Sequence, residues 1–409
     1  MSHSTAIGLR LRVLMFLQYF IWGAWYTTVA VYMRNHSMEN LTHWPYTVTP
    51  IAAMVSPLFL GLFADRLFQT QKMLGVLLLI GGTFMLLTPQ ASGNPVIFIS
   101  LLFLFNLCFM PTLGLANSLV FYHTEEPEKQ FPLIRVFGTV GWIVAGLIIS
   151  FVLVWFTADV IPERTPLPLY LAGTAAVALG LFSFTLPETP PSAKDMPVSL
   201  RGLFGLDALK SLGSPSFYIF IVSSFLICIP LAAYYNFTQI FLETRGFRNI
   251  AAMQSLGQVS EVFFMLLLPL CFRRLGVKWV LAIGMGAWAL RYFLFSIGAP
   301  DGVLWLILTG ILLHGICYDF LFVAGQIYVE RHASPKYRAQ AQSLIVFVTY
   351  GLGMLVGAQV AGTVYNLFLG DAAALSGEQF QTFWMLPAVF SLVVLVIFAL
   401  TFRPKAAHR

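Results

Sequence analysis

Charge is what this chain has least of. Asp, Glu, Lys and Arg make up 10% of its 409 residues, against roughly 25% in soluble domains, while 58% are hydrophobic. So little charge leaves too few solvated side chains to cover a water-facing surface, which excludes a soluble globular protein. Cysteine is nearly absent as well. Cys108, Cys228, Cys271 and Cys317 lie in or at the ends of apolar runs, too scattered for a metal site, and read as small buried hydrophobes. The sequence contains no GxxxxGK[ST] phosphate loop, no HExxH pair and no GxSxG turn. Those absences argue against ATP-driven pumping and against hydrolytic chemistry. No enzyme activity, metal or organic cofactor is expected.

What is present is a succession of apolar runs of about 20 residues, each long enough to cross a bilayer as a helix. Twelve are read, centred near residues 23, 56, 80, 109, 144, 177, 229, 262, 288, 316, 351 and 391. The first run is itself a full span, so no cleavable leader is expected ahead of it. The fold class is therefore an all-α integral membrane protein. Seventeen Lys and Arg residues between the runs fall on the side of the termini; Arg34, Arg164, Arg245 and Arg248 fall on the other. By the positive-inside rule both termini are cytoplasmic. The net charge of +6 then reflects topology and the lipid surface, not nucleic acid.

The longest polar interruption, "PETPPSAKDMPVSLRGLFGLDALK", separates residues 1–187 from 213–409. Its second half places Leu200, Leu203, Leu206 and Leu209 so that residues 188–212 could form an amphipathic helix on the cytoplasmic leaflet. The flanking halves look like distant copies, since similar basic turns follow the second and eighth runs and join the fourth to the fifth and the tenth to the eleventh. Two pseudo-symmetric six-helix halves resemble the major facilitator superfamily, whose halves rock about a site near the midplane. "GLFADR", with Asp65 and Arg66, resembles its gating loop signature, though Leu67 and Phe68 stand where glycine and paired bases are usual.

Ionisable residues at membrane depth are costly, so they are functional candidates. Only Glu261 and Asp319, of seventeen acidic residues, lie well inside runs; Arg135 and Arg291 are the basic ones. Gln254, Gln258 and Glu261 share one helical face; Gln254 reads more simply as interhelical glue, whereas glue alone does not require the titratable proton of Glu261. The tenth run carries His314, Tyr318, Asp319, Phe322 and Gln326. His314 is open between a packing histidine and a substrate contact. Arg135, Thr139 and Trp142 set a cation, a hydroxyl and a broad ring on one face of the fifth run. Arg135 is open between ligand or gate and a snorkelling anchor paired with Glu125, Glu126 or Glu128. Arg291 is assigned to structure, since the ninth helix is peripheral in this architecture. Gln18, Trp22 and Trp25 in the first run, Asn106 and Asn117 in the fourth, and Tyr234, Tyr235, Asn236 and Gln239 in the seventh complete the polar and aromatic set, with interfacial anchoring an alternative for the Trp and Tyr residues.

Aromatic faces, amides and hydroxyls with few charges suit a neutral, flat, polyhydroxylated solute and suit phosphorylated substrates poorly. Glu261 or Asp319 is the natural proton carrier for transport driven by an ion gradient. A sugar or oligosaccharide symporter of the same fold is the nearest alternative. A non-transporting receptor or a membrane-embedded enzyme is a distant one.

Several stretches resemble the bacterial nucleoside:proton symporters of the major facilitator superfamily. They are "FLQYFIWGAWYTT", "MPTLGLANS", "FPLIRVFGTVGW", "QVSE", and "YDF" followed by "VERHASPKYRAQAQ". The resemblance runs essentially end to end. It implies nucleoside import with protons across a bacterial inner membrane, by a monomer needing no cofactor beyond the coupling proton. It further implies substrate binding by Arg135, Thr139, Trp142, Tyr235, Gln258, Glu261, His314, Tyr318 and Phe322. Proton coupling would fall to Asp319 or Glu261, and gating to Arg135, Asp65 and Arg66. Where some members carry Gln and Asn in the seventh helix this chain has Ala232 and Tyr235, and His314 replaces a tyrosine, so base selectivity should differ.

Overall fold

The structure, a computed structural model, describes residues 3–59, 68–191, 213–333 and 337–403. Among them every regular element is helical. In hydrocarbon each backbone N–H and C=O must be satisfied within the segment, and a helix does so. Nine helices among the described residues are long and apolar enough to span a membrane. One of them, Ile250–Gly298, runs 49 residues and breaks at Gly276, where φ is 75°. Glycine adopts positive φ at no steric cost, so the basic stretch around it turns the chain between two apolar arms. Trp44–Phe59 and Leu167–Ser183 are shorter apolar helices. The expected twelve runs count both arms and these two short helices; length and composition together give nine. Asp65 and Arg66, and the amphipathic segment expected within 188–212, lie outside the described residues.

The chain forms two compact units. The first comprises Met1–Val198 and Arg248–Ser255. In it His3–Tyr26 lies along Pro127–Leu147 at a distance only glycine permits: a Cβ on Gly141 would strike the Phe16 carbonyl, and one on Gly23 would reach 2.9 Å from the Trp142 ring. The start of Ile250–Gly298 is held in this unit by side-chain capping. Buried Glu163 Oε1 accepts from the Ala251 N–H at 3.1 Å, and Ser150 Oγ accepts from the Ala252 N–H at 3.0 Å. Both N–H groups belong to the first turn, which has no carbonyl partners of its own. Gln254 Nε2 donates to the Thr27 carbonyl at 3.3 Å, which is the glue its sequence position suggested.

The second unit comprises Ser199–Phe247 and Leu256–Arg409. Here Pro215–Thr244 packs along Met354–Leu369 and Gly377–Thr401. An aromatic core of Phe241, Tyr292, Phe295 and Trp384 is buried, with Tyr292 and Trp384 stacked at 5.7 Å. Outward positions stay apolar, Leu266 at 77% and Leu400 at 70% exposure. Exposed leucine of that extent is costly against water and favourable against lipid.

Candidate functional site

In the first unit the fifth-run residues meet the first helix. Arg135 lays its guanidinium over the Tyr19 ring, 3.9 Å from the centroid, where Gly138 has no side chain to intervene. Such a contact is worth ~0.5–2 kcal/mol and holds the cation on the helix face. Glu126, one of the acids Arg135 could have engaged, pairs with Lys129 at 2.5 Å. One turn on, half-buried Thr139 precedes Trp142. The Trp142 ring lies 5.8 Å from Trp22 and 6.4 Å from Tyr26. The buried Nε1 of Trp22 has no hydrogen-bond partner, so the aromatic group keeps a donor in reserve. Gln18 and Asn106 are engaged: Gln18 Nε2 donates to Thr112 Oγ1 at 2.6 Å, and Asn106 Nδ2 to the Leu102 carbonyl at 2.8 Å.

In the second unit the Leu304–His332 span is not a continuous α-helix. It stops at Leu312, resumes over His314–Tyr318, widens into a π turn over Asp319–Val323 and continues as Ala324–His332. Such turns within helices often mark functional positions. His314 is buried, its ring stacked 5.5 Å from Tyr234 and 5.7 Å from Tyr318. Tyr235 meets it edge-on at 6.2 Å. The series continues through Phe322, 5.4 Å from Tyr318, to Tyr350, 5.6 Å further, and the hydroxyls of Tyr318 and Tyr350 are hydrogen-bonded.

Asp319 is fully buried, and neither carboxylate oxygen has a hydrogen-bond partner. Glu261 is near enough to act on it electrostatically. Gln258 Oε1 is buried without a partner too. The arms carrying these groups touch closely. A Cβ on Gly257 would come within 3.0 Å of His314 Cβ, and one on Gly315 within 2.5 Å of the Ser260 carbonyl oxygen. The structure thus brings His314, Tyr318, Asp319 and Phe322 together with Tyr235, Gln258 and Glu261 in one unit, and Arg135, Thr139 and Trp142 together in the other. Two carboxyls, stacked rings and an unbonded amide oxygen within one unit can grip hydroxyls, stack a planar ring and hold a proton.

The family model described as "Nucleoside H+ symporter" matches residues 5–407. The chain belongs to the nucleoside H+ symporter family. Within reach of that family it is 37% identical over 400 residues to the Escherichia coli (strain K12) protein named "Putative nucleoside transporter YegT", covering 96% of this chain and 93% of the relative. To the xanthosine permease of the same strain it is 31% identical over 433 residues, covering 99% of each. A crystal structure of nucleoside transporter NupG superposes with a TM-score of 0.85 at 28% identity, covering 98% of this chain and all of that one. The fold is that of the major facilitator superfamily, and the family resemblance read from the FPLIRVFGTVGW and QVSE stretches is borne out.

Sequence reading missed several neighbours of the symporter's aromatic series. One tyrosine in an apolar run resembles an interfacial anchor, so Tyr350 carries no signal of its own. Ser260 sits between Gln258 and Glu261, where a hydroxyl is inconspicuous beside the carboxylate. Arg291, assigned to structure on the peripheral place of its helix, is fully buried, its guanidinium 4.1 Å from the Tyr234 centroid. Glu163, outside the runs, is a buried helix cap that no apolar pattern signals.

Proposed function

We propose that this chain imports nucleosides together with protons across a bacterial inner membrane, with both termini cytoplasmic and the monomer as the working unit. The observation that carries the residue assignment is Asp319. A fully buried carboxyl with neither oxygen bonded is an expensive feature, and it lies on a π turn beside Glu261 and the rings of His314, Tyr318 and Phe322. Asp319 and Glu261 act on each other electrostatically; two such acids repel when both are charged, and one proton relieves that repulsion. Asp319 therefore takes the coupling proton. Gln258 and Glu261 grip the ribose hydroxyls, and Tyr235, His314, Tyr318 and Phe322 take the base. Arg135, Thr139 and Trp142 contribute a cation, a hydroxyl and a stacking face to substrate binding, with Arg135 also serving the gate together with Asp65 and Arg66. The proton is the sole coupling species required, and no enzymatic step is needed.

The experiment is substrate competition with the purified protein in proteoliposomes. Uptake of labelled uridine should be suppressed by unlabelled nucleosides and unaffected by maltose at the same concentration, and Glu261→Gln should weaken apparent nucleoside affinity by at least about tenfold, as expected on losing a charge-assisted hydrogen bond. Suppression by maltose alone, or near-normal uptake by well-folded Glu261→Gln protein, would sink the assignment.

A further inference from the structure

Arg291 has no part in the reading above. It is fully buried in the second unit, and among the described residues no carboxylate forms an ion pair with it. A buried cation without a carboxylate partner is costly, so its retention calls for a reason beyond packing. Its contacts are specific. Nε donates to the Gly310 carbonyl at 2.8 Å and Nη2 to the Ile311 carbonyl at 3.4 Å. Both carbonyls lie at the end of the Leu304–Leu312 helix, where terminal carbonyls lack intrahelical donors and carry partial negative charge. The start of the next arm is held from the opposite neighbour: Ser260 Oγ accepts from the Gly315 N–H at 3.0 Å. A guanidinium and a hydroxyl thus fasten the two sides of the break at Leu313, immediately before His314.

The guanidinium also fixes the ring on which His314 rests. It lies 5.0 Å from the Trp288 centroid and 4.1 Å from the Tyr234 centroid, and the Tyr234 ring in turn stacks on His314 with an interplanar angle of 22°. Backbone and ring contacts therefore both lead from Arg291 to one imidazole.

We propose that Arg291, seconded by Ser260, is a positioning residue for substrate selectivity: it holds the break in the tenth span and the Tyr234 ring so that His314 presents one fixed face to the nucleoside base. The inference rests on the reading above that His314 meets the base. Arg291 touches no substrate. Its effect falls on the ratio of affinities between bases, because a shifted imidazole alters base contacts and leaves the ribose grip of Gln258 and Glu261 and the proton site in place.

The test is a panel of apparent affinities for uridine, adenosine, inosine and xanthosine, by competition of labelled uptake into proteoliposomes, normalised to folded protein. Arg291→Lys keeps the charge and loses the planar fork and stack. The purine-to-pyrimidine affinity ratio should shift by at least about fivefold, with maximal rates within about twofold of the parent, since selectivity is a difference of binding energies. Ser260→Ala should shift the ratio in the same direction, and Tyr234→Phe, which retains the stacked ring, should preserve it. Folded Arg291→Lys protein with the parental ratio overturns the proposal. Should that variant fail to fold, Ser260→Ala and Tyr234→Leu carry the test, and parental ratios in both overturn it. His314→Phe separates the two readings. If it leaves every affinity unchanged, His314 does not meet the base; if it alters the ratio while Arg291→Lys and Ser260→Ala do not, only the positioning role fails.

Discussion

At the scale of single residues, the site is a contrast between satisfied and unsatisfied groups. Gln254 and Asn106 each make a side-chain hydrogen bond within the first unit, and Gln18 is half satisfied, donating through Nε2 while its buried Oε1 has no partner. Asp319 makes none with either oxygen. On the proposal that Asp319 carries the coupling proton, a carboxyl without a fixed partner is free to gain and lose it. Asp319→Asn should therefore uncouple. Exchange of labelled for unlabelled nucleoside across vesicles, which needs no net proton movement, should persist within a few-fold of the parent. Accumulation driven by a proton gradient should fall below about a tenth, the loss expected when the group that changes protonation is removed. Gradient-driven accumulation at the parental level by Asp319→Asn would move the proton site elsewhere. Glu261 and Asp319 were legible in the sequence because a carboxylate in an apolar run has few bland explanations. Tyr350 and Ser260 were not, because a phenol or a hydroxyl in a span is common, and only contacts with Tyr318 and Gly315 reveal their use.

At the scale of elements, periodicity identified the tenth run as one span and could not see its interruptions. The backbone on the two sides of Leu313 bonds to groups outside the span, the Arg291 guanidinium and the Ser260 hydroxyl, which no local pattern contains, and the π turn at Asp319–Val323 leaves no mark in the periodicity either. The reversal inside Ile250–Gly298 was legible, because the Arg273, Arg274 and Lys278 charges and Gly276 interrupt the apolar run. Close packing at the break gives an element-level prediction. Gly315→Ala would drive a Cβ to 2.5 Å from the Ser260 carbonyl oxygen, and backbone cannot yield as a flexible side chain can. Overpacking of this kind costs ~1–3 kcal/mol, so thermal unfolding of the detergent-solubilised protein should begin several degrees lower and nucleoside affinity should drop. Gly114→Ala is the counterpart, since nothing lies within 4 Å of its added methyl. Alanine favours a helix over glycine by up to ~1 kcal/mol, so that variant should unfold no earlier than the parent. Equal destabilisation by both would show that the tight approach at Gly315 is not what matters.

At the scale of the whole molecule, composition alone placed the chain in a bilayer, and the motif stretches placed it in its family. The two compact units follow the chain except at Arg248–Ser255, which joins the first unit through Glu163, Ser150 and Gln254. That exchange was not legible, because capping by a distant carboxylate leaves no trace in periodicity. Each unit carries one share of the polar groups: Arg135, Thr139 and Trp142 in one, and Asp319 with Glu261, Gln258 and the His314 series in the other. Everything above turns on nucleoside movement being tied to proton movement. Uptake of labelled uridine into vesicles holding the purified protein, with and without an inward proton gradient, measures that tie. Uridine should accumulate above its external concentration when the gradient is imposed, a protonophore should abolish the accumulation, and without the gradient only slow equilibration should remain. Uptake indifferent to the gradient and to the protonophore would show that the two movements are independent.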